Sequence, residues 1–368
     1  MNVLQTVPEL NAGGVERTTL EVAEALTQAG HRAHVASLGG RMEDDLTALG
    51  GQLHRFAVGS KNPLNLRENT RHLVKIIQDH DIDIIHARSR APAWPSFYAA
   101  RQTGIPFVTT YHGIYKAHNP LKRHYNSIMA RGDAVIANSG YTKAHIIKEH
   151  GTDPARITAI PRGVDIAHFD PKRVKKRDAT ALRESWNIGR EDKIILLPGR
   201  LTRWKGQITA IQALAQLPKN CTLVLLGDAQ GRDAYVQELW RTIHYHELAD
   251  RVRIQAHTQD MPMALACADC VLSASIEPEA FGRVAAEAQA MQRPVVATAH
   301  GGALETVIEG QTGYLVPPEE ISAMARAIEA CLNWRAYDGA AARQRINAQF
   351  SKTALQKATL KVYGDVLN

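Results

Sequence analysis

The chain has 368 residues, 45% of them hydrophobic and 22% charged, enough for two domains with separate cores. Four cysteines (Cys221, Cys267, Cys270, Cys331) are too sparse for a disulfide framework, the first residues turn polar at once, and no apolar run approaches a membrane span; a reducing cytoplasm is expected. The net charge of +7 lies wholly in residues 1–178, with 24 Lys and Arg against 17 Asp and Glu, whereas the remainder holds 20 against 20; this predicts an anionic partner for the first half, whether acidic substrate, membrane surface or nucleic acid.

Apolar strand-like runs alternate with helical spacing from end to end, the pattern of an α/β fold. The first half reads as strands over 3–6, 34–37, 53–58, 82–87, 106–110, 134–137 and 157–160, with a helix over 15–29 after the loop Asn11-Ala12-Gly13-Gly14. Residues 161–178, with two prolines, a glycine and the basic run from Lys172 to Arg177, read as a linker. The alternation restarts with strands over 194–197, 222–226, 252–255, 270–273, 295–297 and 314–316, helices over 207–217 and 235–246, and a long helical finish over 319–368. Two doubly wound domains bind ligands at the carboxyl ends of their strands, here expected in the cleft between them.

The richest stretch is Glu277-Pro278-Glu279-Ala280-Phe281-Gly282-Arg283-Val284-Ala285-Ala286-Glu287-Ala288. It reads as a strand end, a turn and a helix from Arg283, with Glu279 on the loop and Glu287 on the second turn. The amides of Phe281, Gly282 and Arg283 then point out of a helix start, a seat for an anion. Carboxylates beside free amides suit a ligand with both hydroxyls and phosphates. A solvated face with a dipole-compensating acid explains the spacing equally well on its own.

Other strand ends carry the same theme. Gly13-Gly14-Val15-Glu16-Arg17 follows the first strand and opens a helix, without the GxGxxG of a dinucleotide fold. Gly199-Arg200-Leu201-Thr202-Arg203-Trp204-Lys205-Gly206 spaces Arg200 and Lys205 to reach one anion, with Arg203 read as a surface residue. Tyr111-His112-Gly113 and His300-Gly301-Gly302-Ala303-Leu304-Glu305 also end strands. Asp81-Ile82-Asp83 precedes its strand, the wrong end for a ligand, so a metal-binding DxD is rejected. Cys267-Ala268-Asp269-Cys270 is a lone CxxC, read as small residues entering a strand.

Taken together and in order, these stretches, with Asn138-Ser139 and Pro161-Arg162-Gly163-Val164-Asp165, resemble the retaining glycosyltransferases of family 4. The resemblance implies an α/β, GT-B architecture: two Rossmann-like doubly wound domains facing a central cleft. They would be an acceptor-side domain over 1–170, a nucleotide-sugar domain over 171–350 and a C-terminal helix over 351–368 packing back on the first. It implies a hexosyltransferase of lipopolysaccharide or cell-surface glycan synthesis, taking a UDP-, GDP- or ADP-linked sugar and a glycan or lipid-linked acceptor. No cofactor, metal or nucleic acid is implied. Arg200 and Lys205 would hold the diphosphate, Glu279 and His112 the donor sugar, Glu287 the ribose. Gly13, Gly14, Phe281, Gly282 and Arg283 would line the donor, with the base near Gln255, His257 and Thr258. Arg17, Arg88 and Arg90 would face an anionic acceptor. Lys116, Lys122, Arg123 and Arg131 around Leu121 would suit the inner face of the cytoplasmic membrane.

Three departures stand out: Arg162 where the family commonly has Asn, Gly227-Asp228-Ala229-Gln230-Gly231 for Gly-x-Gly, and Ala280 for Pro. An epimerase or phosphorylase-like enzyme on the same fold is the enzymatic alternative. A non-catalytic polyanion binder is the other, disfavoured by diffuse charge and by carboxylates that would repel phosphates.

Overall fold

The computed structural model describes residues 1–368 except Ala12 and Pro63. The chain divides into a first unit, Met1–Gly163 with Lys352–Asn368, and a second, Val164–Ser351. The first boundary thus falls before residue 170.

The first unit is one parallel sheet of β1 (Asn2–Thr6), β2 (Arg32–Ser37), β3 (Gln52–Arg55), β4 (Ile84–Ala87), β5 (Phe107–Tyr111), β6 (Ala134–Ala137) and β7 (Ile157–Ala159). Their order, β3-β2-β1-β4-β5-β6-β7, reverses direction between β1 and β4. In register, Thr6 lies beside both Ala36 and Ala87, so the loops after β1 and β4 leave the sheet side by side. That is the switch point where such sheets place ligands.

Helices cover both faces, so the central strands are buried on both sides rather than on one alone. Successive residues feed opposite cores: Leu4, Ile85, Phe107 and Val135 pack in one cluster, Val3, Ile84, Val108 and Ile136 in the other. The second cluster is closed by Leu355, Val362 and Tyr363 of the C-terminal helix Lys352–Leu367. Each such fully buried side chain contributes roughly 1.5–3 kcal/mol.

The second unit repeats the plan with β8 (Lys193–Pro198), β9 (Cys221–Leu226), β10 (Val252–Gln255), β11 (Cys270–Ser273), β12 (Val295–Thr298) and β13 (Gly313–Val316), all parallel. The order β10-β9-β8-β11-β12-β13 puts its switch point between β8 and β11. The Gly199 loop follows β8 and the Glu279 loop follows β11.

Three expectations need correction. The basic linker is partly helical: Lys176–Ser185 is a helix, because Leu182 packs on the core cluster while Lys175, Lys176 and Arg177 stay exposed. The strand expected over 53–58 leaves the ladder at Arg55, since Phe56 and Val58 turn into the core instead. The helical finish is three helices, Ile321–Leu332, Gly339–Phe350 and Lys352–Leu367. Trp334 breaks the first by packing on Tyr314, and Ser351 breaks the second by bridging to Val164. Among the described residues no helix is long and apolar enough to cross a membrane.

Candidate active site

In the second unit the site is built from strand ends. Gly199 takes φ +150° as the chain leaves β8, and a Cβ on Gly227 would sit 2.1 Å from the Gly199 carbonyl, so the loops after β8 and β9 touch through backbone alone. Gly206, at φ +72°, presses equally closely: a Cβ there would lie 1.9 Å from the Ala274 carbonyl. This close approach sets helix Gln207–Leu214 against the end of β11 and aims Lys205 across it.

Lys205 Nζ donates to Glu279 Oε1 at 2.7 Å and lies 4.3 Å from the Trp204 ring centroid. Both partners are largely buried, so the pair is a strong local constraint. Ser275 Oγ donates to the same carboxylate oxygen. Ser275 is itself fixed through its carbonyl, which accepts from Thr298 Oγ1 at 2.7 Å and from His300 Nε2 at 2.8 Å. The latter bond puts the His300 proton on Nε2. Gly302 N donates to the Glu279 carbonyl at 2.8 Å, and Gly301, at φ +60°, leaves room for that carbonyl where its own Cβ would lie at 2.3 Å. The Gly301-Gly302 turn is therefore a bed for the Glu279 loop.

Helix Arg283–Ala290 follows, with Gly282 as its left-handed N-cap at φ +78°. Glu287 faces back and accepts from Arg283 Nη2 at 2.8 Å. A pocket of about 320 Å³ opens here, lined by Gly199, Arg200, Asp228, His257, Val284 and Glu287 among others. That size suits a small-molecule ligand. The His257 amide donates to Asp228 Oδ1 at 3.1 Å, tying the loops after β9 and β10.

Of the residues expected here, Arg200, His257 and Glu287 share the pocket and Lys205 and Glu279 pair beside it. Phe281 presents backbone only, since its ring is buried against Phe350. Gln255 supports the loops: its carbonyl accepts from Gly227 N. Thr258 is occupied locally, its hydroxyl accepting from Asp260 N at 3.1 Å ahead of helix Met261–Cys267. Arg203 pairs with Glu238 on the surface. Ser275 and Thr298 escaped the sequence reading, because a hydroxyl at a strand end carries no pattern. Asp228 lay in a loop flagged only as a departure.

In the first unit, Gly13 at φ +143° caps helix Gly14–Gln28, with Arg17 exposed on its first turn. His112 follows β5, and its carbonyl accepts from Asn138 Nδ2 at 2.9 Å. Both its ring nitrogens are shielded from solvent without a hydrogen-bond partner. Burial first, then the positive charge of Arg162 and Arg88, pushes its pKa well below the ordinary value, so the imidazole is neutral. Two arginines differ from expectation. Arg88 is buried, donating to Gln5 Oε1 at 2.9 and 2.7 Å and to the Thr18 carbonyl at 3.0 Å, and so presents no exposed charge. Arg90 is spent locally on Asn126 Oδ1 at 2.8 Å and on the Tyr115 ring at 4.2 Å.

Asp83 of the rejected DxD accepts from the Asn2 amide at 2.6 Å, at the amino end of the sheet. Cys270 is buried and Cys267 half-buried, and both are free thiols. Among the described residues no three His, Cys, Asp or Glu side chains form a metal-holding group.

Comparison with known proteins agrees with this layout. Residues 12–168 match the model of Glycosyltransferase Family 4, and residues 178–349 that of Glycosyl transferases group 1. A D-inositol 3-phosphate glycosyltransferase of Xylanimonas cellulosilytica is 33% identical over 282 residues, covering 73% of this chain and 67% of that protein. The crystal structure of a glycosyltransferase from Rickettsia africae superposes with a TM-score of 0.92 at 35% identity, over 100% of this chain and 98% of that one. Anabaena HepE, solved in complex with UDP, gives 0.88 at 26% identity over 99% and 100%. With two parallel sheets of seven and six strands and a match to both family halves, the chain belongs to the family 4 glycosyltransferases of the GT-B fold.

Proposed function

We propose that this glycosyltransferase moves a hexose from a nucleotide-diphosphate sugar to a glycan or lipid-linked glycan acceptor, with retention of anomeric configuration and without a metal. The carrying observation is the gathering of Arg200, Lys205, Glu279, Glu287 and a helix amino end around one pocket at the strand ends of the second unit. Anabaena HepE, solved with UDP and with UDP-glucose, supports a uridine donor.

In this reading Arg200 and Lys205 take the diphosphate, and Glu287 accepts from the ribose hydroxyls. Glu279, held by Ser275, accepts from the sugar hydroxyls, and Gly282 and Arg283 offer amides. As the anomeric bond breaks, charge grows on the diphosphate and these cations stabilise it. The sugar passes through an oxocarbenium-like state, the acceptor hydroxyl attacks from the same face, and the departing phosphate takes its proton. No protein nucleophile is assigned. In the first unit the neutral His112 is proposed as a hydrogen-bonding group for a substrate, and the Gly13-Gly14 turn as a place of close backbone approach.

The curated relative acts, by its name, on an inositol phosphate, which supports a polyol acceptor carrying an anion. Membrane contact rests on Leu121, 84% exposed between Pro120 and the basic pair Lys122 and Arg123. A cytoplasmic place in lipopolysaccharide or other cell-surface glycan synthesis belongs to the same proposal.

A thermal-shift screen against UDP, GDP, ADP and CMP with their sugar conjugates, with and without EDTA, tests the donor site. A nucleotide at a hundred times its Kd adds about 2.7 kcal/mol. Stabilisation by the uridine series, unchanged by EDTA, is expected. No shift from any nucleotide in folded protein would sink the reading in favour of polyanion binding, and sugar isomerisation with no acceptor present would favour the epimerase. Retention is read from the anomeric coupling of the product by NMR.

A further inference from the structure

We propose that a crevice on the outer helix face of the first unit is a second binding site, taking an acidic sugar: a ring that bears a carboxylate or a phosphate. Helices Asn65–Asp79 and Arg90–Thr103 lie side by side on one core cluster, into which they turn Leu73, Ile77, Ala93 and Ala100. Their outward sides bound a crevice of about 540 Å³, larger than the pocket of about 320 Å³ in the second unit. It is lined by Leu66, Arg67, Thr70, Arg71, Tyr98 and Gln102. That volume suits a small ligand such as a mono- or disaccharide. The crevice shares no residue with the pocket of the second unit, so the site stands whether or not the donor assignment does.

The lining names the ligand chemistry. Arg67 and Arg71 stand one turn apart on the same helix, both exposed, and neither makes a hydrogen bond or an ion pair among the described residues. Other arginines of this half are spent: Arg88 on Gln5, Arg90 on Asn126, Arg101 on Asp133 and Arg123 on Glu149. Glu68, between the two free arginines in sequence, does not line the crevice. Two planar forks therefore stand ready for one carboxylate or phosphate. Tyr98, 40% exposed, is held by Trp94 and Phe97, whose ring centroids lie 6.3 and 5.6 Å from its own. A ring fixed in this way offers a flat face for the C–H side of a sugar, with its hydroxyl at the rim. Thr70 gives its hydroxyl hydrogen to the Leu66 carbonyl at 2.7 Å and keeps lone pairs for a sugar hydroxyl. Gln102 is exposed and adds an amide, both donor and acceptor. A bare anion would use the arginines alone; an acidic sugar uses all of these groups. It has two sources, an acidic residue of a glycan chain or a free sugar phosphate.

Calorimetric titration of the full-length protein tests the site and separates the sources. The probes are a glucuronate-containing tetrasaccharide, its carboxyl-reduced form, glucose 6-phosphate and glucose. Wild type is expected to bind at least one acidic probe about tenfold or more tightly than its neutral counterpart. The double variant Arg67→Gln, Arg71→Gln should lose that advantage. Tyr98→Ala should weaken the same probe about fivefold or more, and Tyr98→Phe should keep most of the affinity because the ring remains. Tighter binding of the tetrasaccharide assigns the site to a glycan chain, and tighter binding of glucose 6-phosphate assigns it to a free sugar phosphate. The altered side chains are exposed, and melting temperatures equal to that of wild type check the fold. If Tyr98→Ala melts early, Tyr98→Leu, which keeps bulk without an aromatic face, carries the same comparison. Wild type that binds neither acidic probe, or that binds acidic and neutral forms equally, would overturn the proposal. So would unchanged affinity in Tyr98→Ala, which would reduce the site to charge alone. UDP titrated into the same variants should bind as it does to wild type, and a wild type that takes up no UDP would count against the functional reading only.

Discussion

Lys205 holds the tightest position among the site's cations, its ammonium 2.7 Å from Glu279 and over the face of Trp204. Its removal takes away one of two groups that would neutralise the leaving diphosphate. Lys205→Ala should lower the transfer rate at least about a hundredfold, the scale of one preorganised electrostatic contact. A near-normal single-turnover rate would take Lys205 out of the chemistry. Glu287→Ala should weaken nucleotide-sugar binding without unfolding the protein, because the glutamate lies at a pocket wall and its removal leaves Arg283 a partly exposed guanidinium. Unchanged donor affinity by titration would cancel the ribose assignment. At this scale the sequence marked the loops: Arg200 follows Gly199, Lys205 precedes Gly206 and Glu279 comes shortly before Gly282, while Glu287 stands on the second turn of the helix from Arg283. Ser275 was not marked, because its part comes from a carbonyl held by Thr298 and His300 across neighbouring strands.

Elements meet through glycine at several of these strand ends. Gly206 is the sharpest case: its φ of +72° and the Ala274 carbonyl 1.9 Å from any Cβ both exclude a side chain. Gly206→Ala should cost more than about 2 kcal/mol, measured as a fall in the urea midpoint with the slope unchanged. A cost below half a kilocalorie would mean that helix Gln207–Leu214 can shift away from β11. At the other end of the first sheet, β2, β3 and the helix Asn65–Asp79 bring His34, His54 and His80 together, with ring centroids 4.8–5.3 Å apart. Burial first, then mutual repulsion, lowers His34 and His54 to about 4. Since the unfolded value is near 6.5, the unfolded chain binds more protons between pH 4 and 6.5. Stability from this cluster is therefore full above pH 6.5 and is lost as pH falls towards 4. Melting temperature against pH should show that slope, and His54→Gln should flatten it.

For the whole molecule, the chain's last helix completes a unit that begins at residue 1. Tyr363 OH lies 2.5 Å from His86 Nδ1, while His86 Nε2 lies 2.7 Å from Thr110 Oγ1, all in the core. Tyr363→Phe should cost about 1–3 kcal/mol by stranding a buried imidazole nitrogen, read as a lower melting temperature. Two parallel sheets, their strands and the glycine-marked loops were determined by the sequence alone, because apolar runs that must be covered on both faces and backbone positions that admit no side chain are local demands. Which strand lies beside which, and so which loops meet, was decided only in three dimensions. The sequence could not show that Arg88 is turned inwards to Gln5 or that Arg90 is spent on Tyr115. Nor could it show that Arg162, far along the chain, lies over Gly14. Long side chains reach well beyond their place in the chain, and where an arginine ends is set by the acceptors that packing brings within its reach.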